Sequence, residues 1–205
     1  MNIIFIGAQG SGKGTQAKII SENLNIPHIS TGDLLRQARG ELKKEVDSYM
    51  VSGKLVPDEL ILRILKERIS KEDCQKGFIL DGYPRNLQQA KELDKITNID
   101  KIIEILISDK EAIKRISGRW NCKKCGIAYN NITEPKPRIE DGKIICPKCN
   151  IELSQRADDT EDAVKKRLEI YHQETEPILN HYPSIKINGE KDIDSVTNDI
   201  LKSLN

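Results

Sequence analysis

A lysine set among glycines is the first feature of this sequence with chemistry in it. Gly7-Ala8-Gln9-Gly10-Ser11-Gly12-Lys13-Gly14-Thr15 follows the apolar run Ile3-Ile4-Phe5-Ile6 and leads into Ala17, Ile20 and Leu24 at helical spacing. Glycines let a backbone curl until successive N–H groups and the next helix N-terminus converge on one point, which suits phosphate oxygens. Lys13 adds a mobile cation and Thr15 a hydroxyl able to ligate magnesium. The G-x-x-x-x-G-K spacing is met, but Gly14 stands where Ser or Thr usually follows the lysine, so the hydroxyl is displaced by one residue. A turn that only joined strand to helix would leave Lys13 unexplained.

Three further groups belong with it. Gly77-Phe78-Ile79-Leu80-Asp81 is an apolar run ending in a carboxylate, the way a central parallel strand delivers an acid to the carboxyl edge of a sheet. Arg36, Arg85, Arg115, Arg119, Arg156 and Arg167 lie in loops or near element ends. Each alone reads as a solvated surface arginine, but together they match what phosphoryl transfer asks of a protein: alignment, exclusion of water and positive charge around the migrating group. Cys122-x-x-Cys125 and Cys146-x-x-Cys149, separated by residues 126–145, supply four thiolates able to wrap one tetrahedral ion, so structural zinc is expected. The alternatives are metal-free thiols or an iron–sulfur site. A closed four-thiolate site leaves no open position for catalysis, and Cys74 reads as a small packed side chain.

The elements that must position these groups alternate. Strand, loop and helix at the N-terminus are followed by a short extended piece at residues 25–30, with Ser30 or Thr31 as a helix cap ahead of Leu34 and Leu35. A helix is expected from Glu41 to Val51, ending at Ser52-Gly53, and another with Pro57 as its first residue and Leu60, Ile61, Ile64, Leu65 and Ile69 as its apolar stripe. The strand ending at Asp81 leads to a helix through Leu87, Ala90 and Leu93, then a β-branched strand over Ile102–Ile107. Ser108-Asp109-Lys110-Glu111 has the form of a capping box. Between Trp120 and about Leu153, prolines, glycines and cysteines replace helical periodicity, marking an inserted small domain. A long helical pattern resumes at Thr160 and is expected to kink or end at Pro177, before a last strand at Ile185–Ile187 and a helix carrying Ile193, Val196, Ile200 and Leu204. The expected fold is an α/β sandwich on a parallel sheet, with ligand at the carboxyl ends of the strands.

The 205 residues suffice for one well-buried core with appendages, and a formal net charge of +1 gives no global field to hold a polyanion. A nucleic-acid partner is therefore disfavoured. No stretch reaches membrane-spanning length and no targeting segment is recognisable, so the expectation is a cytoplasmic protein with no membrane partner.

Nearly end to end, these motifs resemble adenylate kinase of the bacterial type with a long lid. Gly7–Thr15 is similar to that family's phosphate loop, Ser30-Thr31-Gly32-Asp33-Leu34-Leu35-Arg36 to the start of its AMP-binding segment, Gly53-Lys54-Leu55-Val56 to that segment's exit, and Asp81-Gly82-Tyr83-Pro84-Arg85 to its D-G-[FY]-P-R signature. The resemblance implies a P-loop three-layer α/β sandwich formed by residues 1–29, 57–119 and 156–205, with an AMP-binding insertion at 30–56 and a zinc-bearing lid at 120–155. It implies a monomer that moves the γ-phosphoryl of Mg-ATP to AMP and back from ADP. ATP would lie on Gly10, Ser11, Gly12, Lys13, Gly14 and Thr15, near Arg119, Ala128, Tyr129 and the carbonyl of Lys191. AMP would be held by Thr31, Arg36, Lys54, Leu55, Val56, Gly82, Tyr83, Pro84 and Arg85, with Gln89 reading the adenine. Lys13, Asp81, Arg85, Arg119, Arg156 and Arg167 would act on the phosphates, Asp81 through magnesium. No protein base is required, so His28, His172 and His181 are read as structural or surface residues. The rivals are a kinase of UMP, CMP or GMP and, from another class, a nucleic-acid-binding zinc-ribbon protein with a nucleotide switch. Three departures from the family stand out: Gln9 replaces the usual proline of the loop, the AMP segment from Ser30 to Val56 is a little shorter than is common, and the spacer between the cysteine pairs is longer than usual.

Overall fold

The computed structural model describes residues 1–51, 56–156 and 159–204. Its centre is a parallel sheet of five strands: β1 (Asn2–Ile6), β2 (His28–Ser30), β3 (Phe78–Asp81), β4 (Lys101–Leu106) and β9 (Ile185–Asn188), in the order β2-β3-β1-β4-β9. Strand alternation sends Ile3, Phe5, Ile79, Ile103 and Ile105 to one face, where they pack on Ala17 and Ile20 of α1 (Lys13–Leu24) and Val196 and Ile200 of α8 (Ile193–Leu204). Ile4, Ile6, Leu80 and Ile102 point the other way. They meet Leu65 of α4 (Asp58–Ile69), Leu93 of α5 (Leu87–Asp94), Ile116 of α6 (Asp109–Ser117) and Leu168 of α7 (Glu161–Ile170). Because both faces are covered, the central strands are apolar over Ile3–Ile6 in β1 and Phe78–Leu80 in β3, as their sequence anticipates.

The sheet turns at β1, where the register sets Phe5 beside Asp81 on one side and Ile6 beside Glu104 on the other. The carboxyl ends of β1 and β3 thus open onto one crevice, the switch point at which such sheets bind ligands. Two insertions flank it. On one side α2 (Thr31–Gln37) and α3 (Gly40–Val51) build a small cluster with α4 from Ala38, Val46, Leu60 and Ile64. On the other, β5 (Arg119–Asn121) pairs antiparallel with β6 (Ala128–Asn130), and β7 (Arg138–Glu140) with β8 (Lys143–Ile145). No helix among the described residues is long and apolar enough to cross a membrane.

Local expectations differ from the structure in informative places. Ser30, not Thr31, caps α2, accepting from the Asp33 N–H. Pro57 has ψ 142° and precedes the helix as its cap, so α4 begins at Asp58. Leu87 is exposed, and α5 buries Gln89, Ala90 and Leu93. The capping box at Ser108 is half made: its Oγ accepts from the Glu111 N–H, but the reciprocal acceptor for the Ser108 N–H is Glu190, while Glu111 turns to Arg115. The helix after Thr160 stays α-helical only to Ile170. A π turn follows at Tyr171–Thr175 and a 3-10 turn at Glu176–Asn180, so the effect of Pro177, which has no N–H to give, is taken up one turn upstream. The expected end of α3 at Ser52-Gly53 falls outside the described residues.

Candidate active site

The phosphate loop is built by two left-handed glycines, Gly10 at φ 84° and Gly12 at φ 89°, a conformation that costs other residues about 1 kcal/mol or more. Its turn is closed by the Ser11 N–H on the Ala8 carbonyl, and Gly12 hands the chain directly to α1. The first turn of α1 carries no acidic residue, so its N–H groups and dipole face the crevice without a competing anion. Arg115 holds the loop from behind. Its guanidinium donates to the carbonyls of Gly189, at 2.8 Å, and Gly10, at 3.5 Å, and to Glu111 of its own helix. Within the loop, the Ser11 Oγ and Gln9 Oε1 are buried without hydrogen-bond partners. Thr15 is exposed at the start of α1.

Lys13 is half-buried, with its Nζ 3.2 Å from the Ala8 carbonyl oxygen. Burial pushes its pKa down from 10.5 to about 8; the Asp81 carboxylate pulls it up, and Arg85, Arg167 and Arg119 push it further down. The charges that act on Lys13 thus come from residues as far along the chain as Arg167. Asp81 lies against α1: a Cβ on Gly14 would stand 3.2 Å from its Oδ2. Burial would raise the Asp81 carboxyl, but the His28 imidazole and the charges of Lys13 and Arg85 outweigh it, so its pKa is below the ordinary carboxylate value. His28 is accordingly no surface residue: its Nε2 is 3.5 Å from Asp81 Oδ2, across the β2–β3 pair. His172 and His181 do lie at the surface, each on carboxylates.

On the α2 side, Thr31 Oγ1 donates to the Gly82 carbonyl at 2.9 Å, and the Arg85 Nε donates to the same oxygen at 2.9 Å. Gly82 (φ 81°) leaves room for both: a Cβ there would meet Thr31 Oγ1 at 3.1 Å. Tyr83 and Pro84 are buried beneath Arg85, which is exposed to the crevice. Arg36 turns back on Asp33 at 2.6 Å. Gln89 is buried, its Oε1 accepting from the Arg85 N–H and its Nε2 donating to Asp58 Oδ1, both at 2.7 Å. Val56 packs with the α2–α4 cluster, whereas Lys54 and Leu55 lie outside the described residues.

On the hairpin side, a carboxylate that the sequence reading passed over organises the arginines. Asp159, with a side chain only 1 % exposed, takes a two-pronged hydrogen bond from Arg119 of β5 and stands 3.7 Å from Arg167 of α7. Arg156 follows the hairpins, exposed, and its carbonyl accepts from the Asp159 N–H. The available signal was the need of a cluster of arginines for a counter-ion, which does not say which of many acidic residues supplies it. Lys191, beyond β9, is held at the surface by Asp199.

The four paired cysteines meet in the hairpin segment, with all their sulfurs within 4.8 Å of one another and Cys125 Sγ 3.8 Å from Cys146 Sγ. A tetrahedron with zinc–sulfur bonds of about 2.3 Å has edges of about 3.8 Å. Each pair forms a knuckle in which an N–H points at the first sulfur of its pair: Cys125 N to Cys122 Sγ and Cys149 N to Cys146 Sγ. Such bonds favour thiolate over thiol. The donor set thus fits zinc in chemistry and size. Tyr129 closes the cluster: it is 5 % exposed, and its hydroxyl is hydrogen-bonded to Cys146 Sγ at 3.3 Å. Its side chain is committed to the cysteine cluster. Cys74 is buried apart, beside Arg68.

Comparison with known proteins agrees with this geometry. A sequence model of the family described as adenylate kinase matches residues 5–187. The chain is 44 % identical over 216 aligned positions to an adenylate kinase of Caldicellulosiruptor bescii, covering 100 % of this chain and 99 % of that one. It is 47 % identical to an adenylate kinase of Archaeoglobus fulgidus and 45 % to one of Methanocella arvoryzae, each alignment covering 98 % of this chain and 96 % of the relative. With a family model matching most of the chain and relatives above 40 % identity along nearly its whole length, the chain belongs to the adenylate kinase family.

Proposed function

We propose that this chain moves the γ-phosphoryl of Mg-ATP to AMP, giving two ADP, with its residues dividing the work as follows. Gly10–Thr15 and the N-terminus of α1 cradle the ATP phosphates, and Lys13 follows the charge of the migrating group. Asp81 and the Thr15 hydroxyl would hold the magnesium that travels with ATP, which would supply positive charge to the phosphates. Thr31, Arg36, Arg85 and Gln89, with Lys54–Val56, Gly82, Tyr83 and Pro84, form the AMP side. Arg119, Arg156 and Arg167 close from the donor side, where Ala128, Tyr129 and Lys191 offer backbone to the nucleoside. In transfer, an oxygen of the AMP phosphate forms the new bond to the γ-phosphorus while the bond to the β–γ bridging oxygen breaks, that oxygen leaving as part of ADP. No protein base is needed, because the attacking oxygen is already an anion.

The observation that carries this reading is the convergence, at the carboxyl ends of β1 and β3, of Lys13 on the phosphate loop, Asp81 against the start of α1 at Gly14, and Arg85 on the Gly82 carbonyl. Such a concentration of positive charge makes sense around a transferring phosphoryl group. Residues 30–56 and 120–155 are proposed as flaps over acceptor and donor, whose closure excludes water so that phosphate goes to AMP. Cys122, Cys125, Cys146 and Cys149 are proposed to hold a structural zinc that stabilises the donor flap, whose own core is small. Formation of ADP from ATP plus AMP tests the activity, and AMP, GMP, CMP and UMP offered side by side test the acceptor. Faster turnover with another monophosphate would replace AMP in this account. Metal analysis returning no tightly held zinc would remove that part alone.

A further inference from the structure

Gln89 is a buried amide whose two ends are both tied, and the tie that matters comes from outside its own motif. Its Oε1 accepts from the backbone N–H of Arg85 and its Nε2 donates to Asp58 Oδ1, each at 2.7 Å. Asp58 is the first residue of α4, thirty-one positions earlier in the chain, and its other oxygen accepts from Asn86, the cap of α5. An ionised carboxylate can only accept and a backbone N–H can only donate, so the two partners enforce the same orientation of the amide. One N–H and one oxygen lone pair of Gln89 remain, in a fixed order.

That order carries information. Along its 6-substituent and N1, adenine presents a donor and then an acceptor, whereas hypoxanthine and guanine present an acceptor and then a donor. An amide free to flip serves either base. We infer that Asp58 is a specificity-determining positioning residue, locking the Gln89 amide in one orientation so that adenine is accepted and 6-oxopurines are refused. The inference rests on the proposal that Gln89 reads the acceptor base. Asp58 touches no substrate in this account, and it acts only through Gln89.

The test is the ratio of kcat/KM for AMP to that for inosine monophosphate, whose base differs from adenine at this edge alone. Asp58→Ala removes the acceptor and is expected to lower that ratio about tenfold, the scale of one hydrogen bond to a charged group. Asp58→Asn keeps an oxygen acceptor and the helix-start position and should retain the wild-type ratio. Stability loss at the start of α4 would lower both rates together and leave the ratio unmoved. Gln89→Met, which keeps the bulk and removes the amide, should also lower the ratio. If Gln89→Met lowers it while Asp58→Ala leaves it unchanged, the lock is refuted and the reading of Gln89 stands. An unchanged ratio in both variants refutes the contact between Gln89 and the base, and the inference with it. Asp58 is exposed, so should Gln89→Met fail to fold, the comparison of the two Asp58 variants still decides.

Discussion

Replacing Lys13 by methionine should abolish transfer and stabilise the protein. The ammonium is held at a site that suits phosphate oxygens, yet its one hydrogen-bond acceptor among the described residues is a neutral carbonyl, that of Ala8. Folding lowers its pKa from 10.5 to about 8, and at 1.36 kcal/mol per pH unit that difference is about 3 kcal/mol. Loss of the bond to Ala8 returns about 1 kcal/mol, leaving about 2 kcal/mol in favour of Lys13→Met at pH 7. For a chain of this size that is a rise in Tm of about 4–8 °C. The pH dependence follows with its sign. Between pH 8 and 10.5 the unfolded wild-type chain binds more protons than the folded one, so wild-type stability rises with pH there. The advantage of the variant is therefore full below pH 8 and gone above about 10.5. Calorimetry at pH 7 and pH 10.5, beside ADP formation from ATP plus AMP, measures both effects. A variant that is inactive but no more stable at pH 7, or whose stability gain is the same at both pH values, would refute the claim that this charge is buried without sufficient compensation.

Asp159→Asn removes the buried counter-ion of Arg119 and Arg167 and should cost about 3 kcal/mol, read as a fall in Tm of about 6–12 °C. Mg-ADP, whose phosphates resupply the negative charge, should raise the Tm of that variant more than that of the wild type. Stripping the cysteine cluster with a chelator should unfold the donor flap and abolish transfer, with far-ultraviolet circular dichroism from the core helices largely kept. Tyr129→Phe removes the hydroxyl beside Cys146 Sγ, and loss of zinc to a chromogenic chelator should be about tenfold faster than from the wild type.

The parts of this molecule that were legible in its sequence are those governed by neighbours in the chain. Alternation of apolar strands with 3.6-residue stripes gave the sandwich, and the unbroken apolar run Ile3–Ile6 matches a strand whose side chains pack on both faces of the sheet. The phosphate loop and the cysteine knuckles were legible for the same reason: groups that converge on one phosphate or one ion from a short segment must recur at fixed spacing. The parts that were not legible are long-range pairings. Glu190 completes the cap at Ser108 from 82 residues away, Asp159 pairs with Arg119 from 40, and Asp58 with Gln89 from 31. Nothing local distinguishes these three carboxylates from the rest of the 32 acidic residues. Tyr129 shows a subtler limit: its motif placed it near the nucleotide, while the direction of its side chain was set by pleat and pairing, which turn it toward the cysteines.

These supporting carboxylates also explain why Lys13 is the cation with energy to release. Arg119 and Arg167 are held by Asp159, and Arg36 by Asp33. A phosphate that engages any of them must exchange with an acceptor already in place, so the gain per contact is the difference between two charge-assisted interactions. Lys13 differs from these three: its hydrogen-bond acceptor among the described residues is a neutral carbonyl, a situation shared by Arg85 on the Gly82 carbonyl, and the charges of three arginines act against it while Asp81 favours it. A phosphate arriving there displaces no anion and raises the depressed pKa toward 10.5. ATP binding at pH 8.5, where about a quarter of the free protein is protonated at Lys13, should therefore draw in about three-quarters of a proton. On the proposed reading, arginines held on carboxylates are expected to position the substrates at modest net cost, and the depressed pKa of Lys13 to make its contact with phosphate the more favourable one.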